Sequence, residues 1–158
     1  MMYLTPEEVT DGLRDLGTVE ALRRNRIQVT TTPNRVRSGL GTLVSRFQCD
    51  HLVQIAVIDT GQEFELIYLL TGAHRTVVSI RTLLPRDKPT IASVHDLLPP
   101  AGLYERQIHD LFGITFQGHP NLSRIILNED WPQGEYPLRK DWTMDPQKTY
   151  GGVPEEVR

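Results

Sequence analysis

Apolar side chains recur along this chain in two rhythms, one of about 3.6 residues and one of about two, and the changes of rhythm mark its elements. The first stretch opens with Thr5 in a capping position, Pro6 at the first helical position and Glu8 three residues after the cap. Val9, Leu13 and Leu16 then fall on one helical face, and Gly17 is placed as a stop. Residues 26–32 alternate apolar and polar and are rich in β-branched side chains, so they predict a strand. Thr32-Pro33 restarts the helical spacing, with Val36, Leu40, Leu43, Val44 and Phe47 on one face, although Gly39 and Gly41 interrupt it.

Three runs of sheet character follow, at 52–58, 64–70 and 76–84. Asp59-Thr60-Gly61-Gln62 and Thr71-Gly72-Ala73-His74 supply the turns between them. Turns this short join antiparallel strands, because a parallel return needs a crossover of roughly a dozen residues. Beyond Pro85 the character changes. Ser93 is placed to cap a short helix over 94–98, which Pro99-Pro100 ends. From 103 to 112, Tyr104, Ile108, Leu111 and Phe112 line one face and Gly113 sits where a C-cap glycine belongs. Arg106 and Asp110, four apart on the other face, are spaced to pair. The chain from 114 onward is rich in proline, glycine and charge. These elements predict an α+β fold over 1–129, with N-terminal helices packed on a mainly antiparallel sheet, and an extended Pro/charge-rich C-terminal arm over 130–158. No internal repeat is evident.

Composition narrows the function classes. At 158 residues the chain is long enough to bury one core. A net charge of −3 argues against nucleic acid as a general partner. The arginines are uneven, however: Arg14, Arg23, Arg24, Arg26, Arg35, Arg37 and Arg46 crowd the first third, as a solvated or partner-facing surface would. The single cysteine, Cys49, can neither close an internal disulfide nor hold an iron–sulfur cluster by itself, and reads as a part-buried small residue. No apolar run approaches the roughly 20 residues of a spanning helix, and the N-terminus lacks the basic and apolar regions of a signal peptide. Membrane association is therefore expected only indirectly, through partners.

The search for a catalytic constellation leads to bland readings. Glu105 and His109 stand four apart, but a zinc-hydrolase helix needs a second histidine. The histidines His51, His74, His95, His109 and His119 are scattered over different elements, and His119 in Gly118-His119-Pro120 reads as a turn residue. Ser123, His119 and Asp110 could be drawn as a triad, yet Ser123 lacks the Gly-x-Ser-x-Gly frame. Glu129-Asp130 reads as loop charge, and no phosphate-cradling glycine motif is present. No catalytic centre is expected in this chain.

One stretch is more specific. Residues 104–142 read Tyr-Glu-Arg-Gln-Ile-His-Asp-Leu-Phe-Gly-Ile-Thr-Phe-Gln-Gly-His-Pro-Asn-Leu-Ser-Arg-Ile-Ile-Leu-Asn-Glu-Asp-Trp and then Pro-Gln-Gly-Glu-Tyr-Pro-Leu-Arg-Lys-Asp-Trp. This resembles the signature of the C-subunit family of respiratory complex I (NADH dehydrogenase), which runs Glu-Arg-Glu, Asp-Met-Phe-Gly-Ile, Gly-His-Pro-Asp-Leu-Arg-Arg and Pro-Leu-Arg-Lys-Asp. The residues that match, or stand within the matching frame, are Glu105, Arg106, Asp110, Phe112, Gly113, Gly118, His119, Pro120, Arg124, Trp131, Tyr136, Pro137, Leu138, Arg139, Lys140, Asp141 and Trp142. Gln107, Leu111, Ser123 and Asn128 depart from the pattern. The spacing from Trp131 to Lys140 is similar to the branch found in membrane-bound nickel–iron hydrogenases and archaeal relatives.

The resemblance implies a non-catalytic peripheral-arm subunit of a membrane-associated redox complex, on its cytoplasmic face. It implies packing against the large catalytic subunit and near the iron–sulfur subunits, with the clusters (and nickel–iron, in a hydrogenase) held by those partners and no cofactor held by this chain. The charged residues of the signature would then make contacts within the domain and across to the neighbour. Phe112, Trp131, Tyr136 and Trp142 would be apolar anchors, and Gly113 and Gly118 would permit tight turns.

Overall fold

In the computed structural model, which describes residues 3–151, the elements run α1 (Pro6–Leu13), β1 (Gly17–Arg23), β2 (Arg26–Thr31), α2 (Pro33–Phe47), β3 (His51–Asp59), β4 (Glu63–Thr71), β5 (Val77–Pro85), β6 (Thr90–Ala92), α3 (Ala101–Phe112) and β7 (Thr115–Gln117). The far end of the expected arm, residues 152–158, lies outside the described residues. The expected α+β class holds. The main sheet has the order β1-β2-β5-β4-β3, and three of its four pairings are antiparallel. The exception is β2 with β5, which run parallel because α2, β3 and β4 intervene between them. A second, two-stranded parallel sheet joins β6 to β7.

The helix starts follow from local chemistry. Thr5 accepts the Glu8 N–H while the Glu8 carboxylate accepts the Thr5 N–H, a complete capping box. Gly39 sits inside α2 for a packing reason: a Cβ there would approach Ile80 Cδ1 to 2.9 Å, so the bare backbone lets α2 lie close on β5. The side chains of β4 alternate regularly, with Phe64, Leu66, Tyr68 and Leu70 all buried. They meet Val36, Leu40 and Leu43 of α2, Val9 and Leu13 of α1 and Ile108 of α3 in one core. Each such side chain contributes about 1.5–3 kcal/mol by burial. Cys49 belongs to that core, and burial first, then the neighbouring Asp50 carboxylate, pushes its thiol up to about 11.

Two expectations at the local level are corrected. Gly17 does not stop the chain as a turn: it opens β1, an exposed edge strand paired with β2, where a Cβ would stand 2.2 Å from the Thr30 carbonyl oxygen. Residues 94–98 form no helix but a hydrogen-bonded turn, with the Leu97 and Leu98 N–H groups donating to the Val94 carbonyl. Two proline residues directly downstream leave no room to propagate it. Beyond β7 the described chain carries no further helix or strand. It descends through a string of turns closed at Trp131, Glu135, Arg139, Trp142 and Lys148.

Candidate functional site

The signature residues converge on α3 and what is tied to it. The helix ends because Gly113 adopts the left-handed conformation (φ 73°) and donates its N–H to the His109 carbonyl. That terminus is also filled from outside. The Tyr136 ring occupies the space where a Cβ on residue 113 would lie, 2.4 Å from it. Gly113→Ala therefore meets both backbone strain and the ring. It is expected to cost about 2 kcal/mol or more in urea unfolding, most of it from displacing Tyr136.

Glu105 is the most deeply buried charge of α3, with no exposed surface. One carboxylate oxygen accepts the Val94 N–H at 2.8 Å and the other accepts the Ser93 hydroxyl at 2.5 Å. The turn at 94–98 is thus capped across space by Glu105 rather than by Ser93 alone. His119 stands 4.0 Å from the same carboxylate and within 3.0 Å of the Gly102 carbonyl, while its Nδ1 accepts the Asn121 N–H. In this arrangement Nδ1 is the accepting nitrogen and Nε2 faces the Gly102 carbonyl. Burial raises the Glu105 pKa above the ordinary carboxylate range, against the lowering effect of its donors and of the nearby histidines.

Asp110 does not pair with Arg106. Its Oδ2 accepts three consecutive backbone N–H groups, from Ile125, Ile126 and Leu127, at 3.2, 2.9 and 2.8 Å. Burial opposes ionisation here, but the three donors together outweigh it and hold the carboxyl below its usual range. Arg106 instead donates to the carbonyls of Ser123 and Arg124 and to the Ser123 hydroxyl. Both residues of the expected helix pair are thus spent on the 123–127 loop, which leaves Ile125 and Ile126 pointing outward at 40% and 53% exposure. Ser123, His119 and Asp110 consequently have separate partners, and no triad is assembled. Glu105 and His109 likewise diverge, His109 Nδ1 lying 2.8 Å from the Ile114 carbonyl.

The arm is latched to the domain over 136–141. The Leu138 N–H donates to the Leu111 carbonyl, and Arg139 Nε donates to the Phe112 carbonyl. The Arg139 guanidinium lies over the rings of Tyr136 and Phe64, and Phe64 meets Phe112 edge-on. Asp59, at the end of β3, accepts the Lys140 N–H at 2.8 Å, the Gly61 N–H at 2.8 Å and two donors of Arg86. Arg86 in turn holds Asp141. Trp131 and Trp142 stack on each other at 5.9 Å and meet Tyr150, while Glu135 accepts from the Trp142 ring, the Tyr150 hydroxyl and Lys148. Arg124 donates to the Asn128 carbonyl, Gly118 turns at φ 83°, and Pro120 and Leu138 remain exposed. Asp59, Arg86 and Glu135 do not stand out from the sequence as site residues. Only Asp59-Thr60-Gly61 carries a signal there, that of a turn.

Residues 29–148 match the family model described as the respiratory-chain NADH dehydrogenase, 30 Kd subunit. The chain belongs to this family. Among its relatives is the C subunit of the F(420)H(2) dehydrogenase of Methanosarcina mazei, 35% identical over 127 residues, covering 78% of this chain and 80% of that one. The C subunit of the NADH-quinone oxidoreductase of Acidothermus cellulolyticus is 38% identical over 101 residues, covering 63% of this chain but 48% of its own length. The chain thus spans about half of that longer relative. One chain in the structure of the membrane-bound sulfane sulfur reductase, an archaeal respiratory membrane complex, superposes with TM-score 0.75 at 28% identity, covering 87% of this chain and 85% of its own. A trypsin-resistant fragment of Nqo5 shares the fold with TM-score 0.60 at 24% identity, over 73% of this chain and 95% of the fragment. Family membership makes this chain a subunit of the kind found in multi-subunit membrane respiratory complexes. No helix among the described residues is long and apolar enough to cross a membrane.

Proposed function

We propose that this chain is a cofactor-free peripheral-arm subunit that packs against the large catalytic subunit of a membrane-associated, ion-translocating redox complex, on the cytoplasmic side. The observation that carries the reading is the use of the signature residues. Asp110 and Leu111, successive residues of one helix, hold two separate segments that display Ile125, Ile126 and Leu138 outward, each at least 40% exposed. Single exposed aliphatics are ordinary, but several mounted on a rigid, buried polar framework suit a partner-facing surface. The iron–sulfur clusters belong, on this reading, to neighbouring subunits.

Two branches share this architecture. The named relatives support a dehydrogenase complex that reduces a quinone or similar acceptor; the Trp131–Lys140 spacing supports the nickel–iron hydrogenase branch. Purification of the tagged chain from membranes in mild detergent, followed by mass spectrometry and metal analysis, separates them. Co-recovery of a large catalytic subunit with iron is expected in either case, and nickel in addition marks the hydrogenase branch. Recovery of the chain alone, as a soluble monomer, would contradict the proposal.

A further inference from the structure

The fold sorts the crowded arginines of the first third into two groups. Arg14 and Arg46 share Asp11, Arg35 donates to the Asp15 carbonyl, and Arg37 grips Asp96. Arg23, Arg24 and Arg26 enter no ion pair among the described residues, and all three are exposed. They cluster at the β1–β2 turn, Arg23 ending β1, Arg24 lying in the turn and Arg26 opening β2. Parallel pairing of β2 with β5 sets Arg26 opposite Val77, and the Val77 N–H donates to the Asn25 carbonyl. This brings Arg75, a fourth exposed arginine without an ion pair among the described residues, beside the turn from about fifty residues downstream in a sequence where nothing else links them.

The surroundings add apolar surface. Leu22, near the end of β1, is 53% exposed, and Arg24 lies over the ring of Tyr3 at 5.3 Å. Tyr3 also borders a cleft of about 510 Å³ that reaches Phe47 and His74. The carboxylates in that cleft are already engaged, Glu8 in the capping box and Asp11 with Arg14 and Arg46. Asp50 is exposed at this end of the sheet, but at the start of β3, which is the opposite edge from β1.

We infer that this end of the sheet is a second docking surface, taking an acidic polypeptide segment of a neighbouring subunit. The inference rests on the chain working within a larger complex, as proposed above. Charge complementarity and side-chain type identify the occupant. All four cations are arginine, whose planar fork matches carboxylates, and arginine and tyrosine are the residues enriched at protein interfaces. A chain of net charge −3 is poorly suited to a general polyanion, so the local field selects a local acidic partner. The surface is independent of the α3 face. The latch binds the Asp59 end of the sheet, whereas the arginines sit at the Thr71 end, roughly 26 Å away along the nine-residue β4.

The test uses the assembled complex. A photo-crosslinking benzoylphenylalanine at Leu22, in an otherwise unchanged chain, is expected to capture an Asp/Glu-rich peptide of another subunit. The triple variant Arg23→Glu, Arg26→Glu, Arg75→Glu is expected to lower retention of the subunit about tenfold at about 0.15 M salt, while the corresponding lysine triple stays within about threefold. Equal thermal midpoints of the isolated wild-type and glutamate chains exclude misfolding as the cause. Undiminished retention of the glutamate triple would overturn the inference. So would crosslinks to lipid alone, accompanied by sedimentation of the isolated chain with phosphatidylglycerol vesicles, which would put an anionic membrane at this surface. Failure of the wild-type chain itself to enter any complex would instead tell against the proposed function.

Discussion

Replacing Glu105 by alanine is expected to cost about 3–5 kcal/mol of stability, because it strands buried donors and opens a cavity beneath α3. The donors are the Val94 N–H and the Ser93 hydroxyl, the second of which would be left with His95 Nδ1 at 3.0 Å as its nearest alternative. Glutamine is a milder change. Its carbonyl can accept the Val94 N–H, and its amide can donate to Ser93 Oγ, so the variant is expected to lose no more than about 1 kcal/mol near neutral pH. The pH dependence has a definite sign. Burial raises the Glu105 pKa in the folded state, so the stabilisation from holding that proton is complete below the unfolded value of about 4.3 and is lost as pH rises through the folded value. The margin of wild type over Glu105→Gln should therefore shrink as pH rises. Paired urea titrations at several pH values measure it, and a margin that grows with pH would refute the assignment.

Asp59→Ala is expected to be nearly as damaging, at about 3–4 kcal/mol, and to act at a distance. Asp59 is 5% exposed and receives the Lys140 N–H, the Gly61 N–H and the Arg86 guanidinium. Removing it leaves the part-buried Arg86 with only the exposed Asp141 as partner. The arm should then come away from the domain while the sheet persists, so trypsin should cut at Arg139 or Lys140 well before it cuts at Arg81 in β5. The sign of the pH effect is opposite to that of Glu105. Burial disfavours the Asp59 carboxylate, but its two backbone donors and Arg86 more than compensate and lower its pKa. Its stabilisation is present above the unfolded value of about 3.9 and is lost as pH falls through the folded value. Asp59→Ala should thus narrow its deficit in acid. Tryptic mapping that shows no preference for the arm would contradict the latch.

The parts of this molecule that are legible in sequence are those set by near neighbours. The α1 capping box, the sheet character of 64–70 and the glycine stop of α3 each depend on near neighbours, and all three appear as read. β1 escapes such a reading because its sequence, Gly-Thr-Val-Glu-Ala-Leu-Arg, has little to bury. It is a strand because β2 offers it partners, and its first residue must be glycine because Thr30 lies against it. The site follows the same division. The signature singles out a set of residues around α3, and spacing alone suggests that Arg106 and Asp110 pair on their helix. They diverge because the unpaired backbone of the 123–127 loop is a better use of both than an exposed i, i+4 pair worth a few tenths of a kcal/mol. Asp59 cannot be connected to Lys140 from sequence at all, since they lie 81 residues apart and a single backbone hydrogen bond leaves no pattern in composition or period.

Amide hydrogen exchange, compared between the isolated chain and the assembled complex, tests the central claim most directly. If the α3 face and the arm are where a partner packs, amides over 121–128 and 131–144 should gain protection on assembly, while those of β4, already buried in the free chain, should change little. Unchanged exchange across both segments would show that this surface faces solvent in the complex, and the proposed role of the signature residues would be wrong.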